Sequence, residues 1–144
     1  MSIKTSRLKT TSLLVFLYSL QGLIIGLLLE TLQIQLKHDF SYSELGVFLL
    51  CSYPFSLKIL WSPIVDSYYF TKIGRRKTWV MITQSLAVKI LFYMSSNIDD
   101  ILQEKRIYFL SVLCFLLMFI ISTQDIAVDG WALTLCGQEV LNNF

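Results

Sequence analysis

The sequence predicts an all-α membrane protein with about four transmembrane helices. Of its 144 residues, 55% are hydrophobic and only 15% are charged, a composition too apolar for an ordinary soluble domain of this size. Residues 10–29 contain no Asp, Glu, Lys or Arg, and a helix of that length measures about 30 Å, the thickness of a bilayer core. The basic residues lie at the ends of apolar segments, as they do beside membrane helices.

Composition also argues against several classes of function. The formal net charge of +2 is too small to indicate a protein that binds nucleic acid. Cys51, Cys114 and Cys136 stand apart in apolar surroundings, and His38 is the single histidine of the sequence. This pattern has neither the cysteine spacing of a disulfide framework nor the ligand spacing of a zinc site. We therefore expect no metal site and no bound cofactor.

Four apolar segments predict the spans, at residues 10–29, 45–65, 78–98 and 107–133. Lys4, Arg7 and Lys9 precede the first span without an acidic residue, which indicates a cytoplasmic N-terminus by the positive-inside rule. Residues 66–77 form a second basic segment, between the second and third spans. The whole chain is thus interpreted as one multi-pass transmembrane region in the lipid bilayer.

Two prolines shape the predicted second span. Pro54 removes an amide donor and is expected to kink the helix, and Pro63 is expected to help end it. Lys58 lies between them, where a cation near the bilayer centre costs about 2.5–3.5 kcal/mol on insertion scales. Because Lys58 is close to the cytoplasmic end, we expect its side chain to extend toward the membrane surface. It is also a candidate for contact with a solute.

The segment at residues 66–77, which we call the hinge, is the clearest candidate for a functional element. Its basic residues stand at the start of the third helix, where the helix dipole disfavours cations by about 0.3–1 kcal/mol. Pairing with a carboxylate across the turn, or on a later helix, would hold the guanidinium groups there. We interpret the hinge as a cytoplasmic gate. The candidate gating residues are Asp66, Gly74, Arg75, Arg76 and Lys77 in the hinge, together with Asp129 after the fourth apolar run.

Three polar side chains inside the predicted spans are further candidates for binding a solute. For Gln21, the interpretation we favour is an interhelical hydrogen bond. Gln84 and Lys89 lie within the third predicted span, and Lys89 is too deep to reach either surface easily. An intramembrane cation is by default a functional hypothesis. Contact with solute and pairing with a neighbouring carboxylate stand as equal alternatives for Lys89.

Two carboxylates follow the fourth apolar run. Gln124, Asp125 and Asp129 precede the first turn signal, Gly130, so the helix is expected to continue through all three. Asp125 and Asp129 are four residues apart and share a helical face, and two like charges in a poorly solvated place favour protonation of one of them. This predicts either a proton-coupling site or salt bridges to Arg75 or Arg76, and we favour the salt bridges. Gln124 is a binding candidate beside them.

The sequence resembles the acetyl-coenzyme A transporter family of the major facilitator superfamily. An aspartate ending the second span and a Gly-Arg-Arg-Lys starting the third are similar to the signature loop of that superfamily, although Asp66 and Gly74 are farther apart than usual. The resemblance covers about residues 18–135. It rests on Gln21-Gly22, PFSLK from Pro54, LWSP from Leu60, GRRKTW from Gly74, Thr83-Gln84 and TQDIAVDGWALT from Thr123.

The resemblance implies a polytopic helical carrier of the endoplasmic reticulum membrane that brings cytosolic acetyl-CoA into the lumen. Acetyl-CoA is then a transported substrate and not a cofactor, and no enzymatic step is implied. A polyanionic substrate would suit Lys58 and Lys89 if these faced a central cavity. A membrane-bound acyltransferase is less favoured, because it needs a base such as histidine and His38 lies in a predicted loop.

Length separates two versions of this hypothesis. Members of the superfamily have about twelve spans in two related halves, with the solute site between the halves. Four spans therefore match the N-terminal part of a longer transporter, whose partner would be the remainder of the carrier. The alternative is a small tetraspan interaction or regulatory protein that binds a full-length carrier and transports nothing itself.

Overall fold

The computed structural model describes residues 2–68 and 74–141, and these residues form helices joined by short turns. In chain order the α-helices are α1 (Ser2–Gly26), α2 (Leu32–Leu36), α3 (Tyr42–Leu49), α4 (Tyr53–Leu57), α5 (Ser62–Ser67), α6 (Arg75–Gln103) and α7 (Ile107–Leu141). A π-helix at Leu27–Thr31 and 3₁₀-helices at Leu50–Ser52 and Lys58–Leu60 connect several of them. The predicted all-α class is confirmed.

Three stretches within the described residues are long and apolar enough to cross a membrane: Thr11–Leu36, Tyr42–Leu60 and Ile107–Thr134. They correspond to the first, second and fourth predicted spans. The third predicted span lies within α6, whose 29 residues extend about 43 Å. This helix has the length of a span, but Gln84 and Lys89 make it less apolar than the other three.

The first helical segment is longer than the sequence predicted. α1 continues through the π-helix into α2 and ends at Leu36, well beyond the predicted end at residue 29. Glu30 and the glutamines that follow it are good helix formers, and Leu28 and Leu36 are buried in the core. The first charged residue therefore does not end the helix, because packing continues on its apolar side.

The second helical segment begins with a capping box. Ser41 Oγ accepts a hydrogen bond from the Glu44 backbone amide, while the Glu44 carboxylate accepts one from the Ser41 amide. This motif fixes the start of α3 at Tyr42. Pro54 lies in the first turn of α4, at the predicted break. Pro63 lies in the first turn of α5, just after the second membrane segment ends at Leu60. Proline suits a first helical turn, where no amide donor is needed, and does not suit the interior of the preceding helix.

α7 is the central helix of the described part. It packs along α6, to which a three-residue turn at residues 104–106 connects it, and it also contacts α1, α3, α4 and α5. Its buried apolar side chains make up much of the main core, and those fully enclosed in it are Ile107, Leu110, Cys114, Leu117, Met118 and Ile121. Since every other membrane helix packs on α7, polar residues on α7 lie where several helices meet.

Candidate functional site

Five polar side chains from three helical segments meet beside α7. We call them the ion-pair cluster: Tyr18, Gln21, Lys58, Asp125 and Asp129. The α1 and α7 members are spaced three and four residues apart, so each set lies on one helical face. Lys58 starts the 3₁₀-helix between α4 and α5, where the helix is broken between the two prolines.

Lys58 bridges the two carboxylates of the cluster. Its Nζ atom contacts Asp125 Oδ2 and lies 3.2 Å from Asp129 Oδ2. The second oxygen of each carboxylate accepts a hydrogen bond from α1: Gln21 Nε2 donates to Asp125 Oδ1 at 2.6 Å, and Tyr18 Oη donates to Asp129 Oδ1 at 2.6 Å. Each carboxylate is therefore held from two helical segments at once.

The two carboxylates differ in their access to solvent. Asp125 is buried, with 9% of its side chain exposed, whereas 44% of the Asp129 side chain is exposed. A buried carboxylate persists in a protein only when it is paired and hydrogen-bonded. With all three groups ionised, two carboxylates and one ammonium carry one net negative charge. The carboxylates therefore carry one more charge than Lys58 neutralises, and the proton-coupling alternative stays a prediction.

The structure bears on two expectations about these residues. The ammonium group of Lys58 is held by carboxylates of α7, and its extension toward the membrane surface stays a prediction. Gln21 makes the interhelical hydrogen bond that the sequence favoured. Within the described residues, the cation that contacts Asp125 and Asp129 is Lys58. The side chains of Arg75 and Arg76, the partners we favoured for these carboxylates, lie outside the described part.

The hinge is described only at its two ends. Asp66 is exposed near the end of α5, Lys77 is exposed in the first turn of α6, and residues 69–73 lie outside the described residues. Gly74 precedes α6 with φ 94° and ψ 146°, a backbone region that is nearly exclusive to glycine. Trp79 Nε1 donates a 2.7 Å hydrogen bond to the Tyr68 carbonyl, which joins the two ends.

Lys89 lies apart from the ion-pair cluster. Successive residues of a helix are rotated by about 100°, so Lys89 is on the side of α6 opposite to Ala87, which is buried against the core. Its side chain is exposed and makes no hydrogen bond or ion pair within the described residues. Contact between Lys89 and a solute stays a prediction.

Gln21, Gln84 and Gln124 come together around a cavity of about 240 Å³ between α1, α6 and α7. Each helix contributes one glutamine. The remaining lining side chains are apolar: Leu20, Ile24, Ala87, Val88, Leu91 and Ile121. We call this space the glutamine cavity. Gln21 belongs to both features, since it lines the cavity and donates to Asp125.

Sequence reasoning missed one member of the cluster. Tyr18 looks like an ordinary aromatic residue of a membrane span, yet its hydroxyl is bonded to Asp129. The spacing of Tyr18 could have identified it. Tyr18 and Gln21 are three residues apart and so share a helical face, as the two aspartates of α7 do. Asp125 and Asp129 were recognised as a shared face, but nothing in the sequence assigns that face to Lys58.

The sequence of the chain matches the family model described as "Acetyl-coenzyme A transporter 1" over residues 10–143. The chain belongs to the acetyl-coenzyme A transporter 1 family. This agrees with the resemblance inferred from the motifs. All five residues of the ion-pair cluster lie within the matched residues.

Relatives of this family member occur in fungi and bacteria. An uncharacterised protein of Schizosaccharomyces pombe is 44% identical over 131 residues, which cover 90% of this chain and 25% of that protein. An uncharacterised membrane protein of Saccharomyces cerevisiae is 37% identical, covering 90% of this chain and 27% of its own length. The anhydromuropeptide permease of Escherichia coli is 27% identical, covering 84% of this chain and 24% of the permease.

The chain thus spans about a quarter of the length of the curated relatives it matches. Their printed descriptions include a membrane protein and a permease, in keeping with a membrane protein of a transporter family. No solved structure matches the chain.

Proposed function

We propose that this family member takes part in carrying acetyl-CoA across the endoplasmic reticulum membrane without changing it chemically. The observation that carries the proposal is the ion-pair cluster, which places two carboxylates and a lysine between three helical segments of a membrane protein. Charged groups within spans are costly and commonly mark solute and proton pathways. Membership of the family supports acetyl-CoA as the substrate class.

In this proposal Lys58 alternates between two kinds of partner. In the structure it is bound to Asp125 and Asp129, and a phosphate group of acetyl-CoA would compete with these carboxylates for the ammonium group. Protonation of either aspartate would weaken its attraction for Lys58 and leave the lysine available to the phosphate. Because Lys58 begins a break in the helix, its release also frees that segment to move relative to α7.

The hinge would act as the cytoplasmic gate of the same carrier. Asp66 and the cations from Arg75 to Lys77 provide opposite charges on its two sides, and the bond from Trp79 to the Tyr68 carbonyl holds the ends together. Asp129 is the more exposed carboxylate of the cluster, so it is the one we assign to a contact with the gate. No bond of the substrate is made or broken in any of these steps.

The test is uptake of labelled acetyl-CoA by proteoliposomes that contain the protein purified from its native membranes. We expect uptake above that of empty liposomes, and a large loss with Lys58→Gln. Lys37→Gln is the matched control, because Lys37 is exposed and lies outside the cluster. Uptake equal to that of empty liposomes would refute the transport function. Co-migration of the protein with endoplasmic reticulum markers tests the location independently.

A second candidate function is that of a regulatory protein that binds a complete carrier. The observation that favours it is Lys89, an exposed cation in the middle of α6, which is costly against lipid and suits a contact with another protein. Co-purification of a longer family member, lost with Lys89→Leu and retained with Lys37→Leu, would support this candidate.

A further inference from the structure

The glutamine cavity contains hydrogen-bonding groups that the protein itself does not satisfy. Gln21 Oε1 is buried and has no hydrogen-bond partner within the described residues. Gln84 makes no hydrogen bond there either, and the Gln124 amide has only a long contact of 3.4 Å from Thr83 Oγ1. A buried polar group without a partner costs about 1–3 kcal/mol. One buried acceptor without a partner, at Gln21 Oε1, together with the Gln84 and Gln124 amides around the same cavity, indicates a place for a ligand.

The chemistry of the cavity selects the kind of ligand. Among the described side chains that line it, none is charged, so a phosphate or carboxylate would find no counter-charge. A glutamine amide both donates and accepts hydrogen bonds, and the rest of the lining is apolar. The matching ligand is uncharged, with amide or carbonyl groups spaced along an apolar chain.

Size further restricts the occupant. The cavity holds about 240 Å³, whereas pockets for drug-sized ligands measure about 300–1,000 Å³. A complete nucleotide thioester is too large for it, but part of one fits. The exposed side chains of Leu20 and Val88 belong to the lining, so the cavity is open on that side.

We infer that the glutamine cavity binds the uncharged, amide-bearing arm of acetyl-CoA, and that the nucleotide end of the molecule lies outside it. This rests on the function proposed above and divides the substrate between two sites. The ion-pair cluster, which includes Lys58, takes a phosphate group. The cavity takes the pantetheine arm, whose amide N–H groups donate to Gln21 Oε1 and whose carbonyl groups accept from Gln84 and Gln124.

Gln21 connects the two sites. Its Nε2 atom donates to Asp125, which contacts Lys58. Its Oε1 atom has no hydrogen-bond donor within the described residues. An arm that bonds to Oε1 also fixes the amide plane, and hence the bond from Nε2 to Asp125. Occupation of the cavity is thereby communicated to the carboxylate that holds Lys58.

The experiment compares two fragments of the substrate as competitors. Binding of labelled acetyl-CoA is measured on the natively purified protein in lipid nanodiscs. S-acetylpantetheine supplies the uncharged arm, and adenosine 3′,5′-bisphosphate supplies the anionic end. We expect Gln84→Leu and Gln124→Leu each to weaken competition by S-acetylpantetheine about 5- to 10-fold, the value of one lost hydrogen bond or slightly more. Competition by the bisphosphate should stay within about twofold.

A control variant separates cavity effects from general damage to α6. Asn97→Leu removes an amide from the same helix outside the cavity, where Asn97 Nδ2 donates to the Tyr93 carbonyl. This variant should leave both competitors unchanged. If Asn97→Leu weakens S-acetylpantetheine as much as Gln84→Leu does, the inference is overturned.

The outcomes also distinguish this inference from the proposed function. One outcome is that the protein takes up acetyl-CoA, but S-acetylpantetheine competes equally well in the wild type and in both glutamine variants. This result would overturn the inference about the cavity and leave the proposed transport function standing. Binding of S-acetylpantetheine that depends on Gln84, in a protein that does not transport acetyl-CoA, would support the site and refute the carrier. A photoreactive fatty acid that labels Val88 and resists displacement by S-acetylpantetheine would assign the cavity to lipid and overturn the inference.

Discussion

Gln21 Nε2 donates a 2.6 Å hydrogen bond to Asp125 Oδ1, although the two residues are 104 positions apart in the chain. The bond joins the first membrane helix to the last one described. Both side chains are buried, with exposed fractions of 4% and 6%, so water does not replace the bond when it is lost. The relationship makes α1 part of the environment of the carboxylate that holds Lys58.

The first prediction is that Gln21→Leu destabilises the protein by about 1 kcal/mol. Leaving the buried, charged acceptor Asp125 without its donor costs about 1–3 kcal/mol or more, and removal of the unpartnered Gln21 Oε1 offsets part of that cost. The measurement is thermal unfolding in nanodiscs, followed by the loss of the monodisperse species. Ser19→Ala is the control, since Ser19 is exposed and bonds only to the Val15 carbonyl of its own helix. Equal midpoints for Gln21→Leu and wild type would show that the bond contributes nothing.

The second prediction is that Lys58→Met lowers the free energy of unfolding by more than a substitution of either aspartate partner alone. Removing the lysine leaves two carboxylates together without their cation, and breaking a fully buried pair costs about 3–5 kcal/mol. Since 30% of the Lys58 side chain is exposed, we expect about 2–3 kcal/mol.

The double variant Lys58→Met/Asp125→Asn tests the pairing directly. Removing the buried charge together with its partner should restore at least half of the lost stability, and the difference measures the coupling between the two residues. The control Lys58→Met/Asp66→Asn should restore nothing, because Asp66 lies at the hinge. If both double variants behave alike, the coupling of Lys58 to Asp125 is refuted.

The sequence was sufficient to predict the helical class, three spans that satisfy length and composition, and the residue types of the site. Hydrophobic run length and the positions of charges carry that information. It was not sufficient to pair Lys58 with Asp125 and Asp129, because which faces of two helices meet depends on packing and not on spacing within either helix. The same limit explains Tyr18, whose role depends entirely on its position opposite Asp129.

Helix ends were predicted less well, for reasons that are visible in individual residues. The first charged residue, Glu30, was treated as the end of the first helix, whereas Leu36 is buried one to two turns later and extends it. Pro63 follows the end of the second membrane segment, as expected, but it also begins the short helix α5, which the sequence analysis does not predict. The Ser41 and Glu44 capping box was present in the sequence and would have located the start of α3.

The third prediction concerns the backbone at the end of the hinge. Gly74 has φ 94°, and a Cβ atom added there would meet nothing within 4 Å. Gly74→Ala should therefore cost about 1–3 kcal/mol through backbone strain alone. Gly46→Ala is the contrasting control: a Cβ at this site, within α3, is equally unobstructed, and alanine is favoured over glycine in a helix by about 0.5–1 kcal/mol. Thermal unfolding of the two variants should shift in opposite directions, and shifts of the same sign would contradict the strain argument.

The last prediction tests the hinge as a gate. Arg75→Glu should slow acetyl-CoA uptake without weakening acetyl-CoA binding, because it reverses a charge at the gate and leaves Lys58 and the glutamine cavity unaltered. A second reversal, Asp66→Lys, should recover part of the lost rate, since the opposite charges across the hinge are then restored. A reversal at Asp129 should recover less, because Asp129 is also bound to Lys58 and Tyr18, and a lysine there would repel Lys58. The measurement is the uptake rate of the single and double variants. An unchanged rate for Arg75→Glu would exclude the gate. Equal recovery by both reversals would mean that the hinge responds to net charge and not to a specific pair.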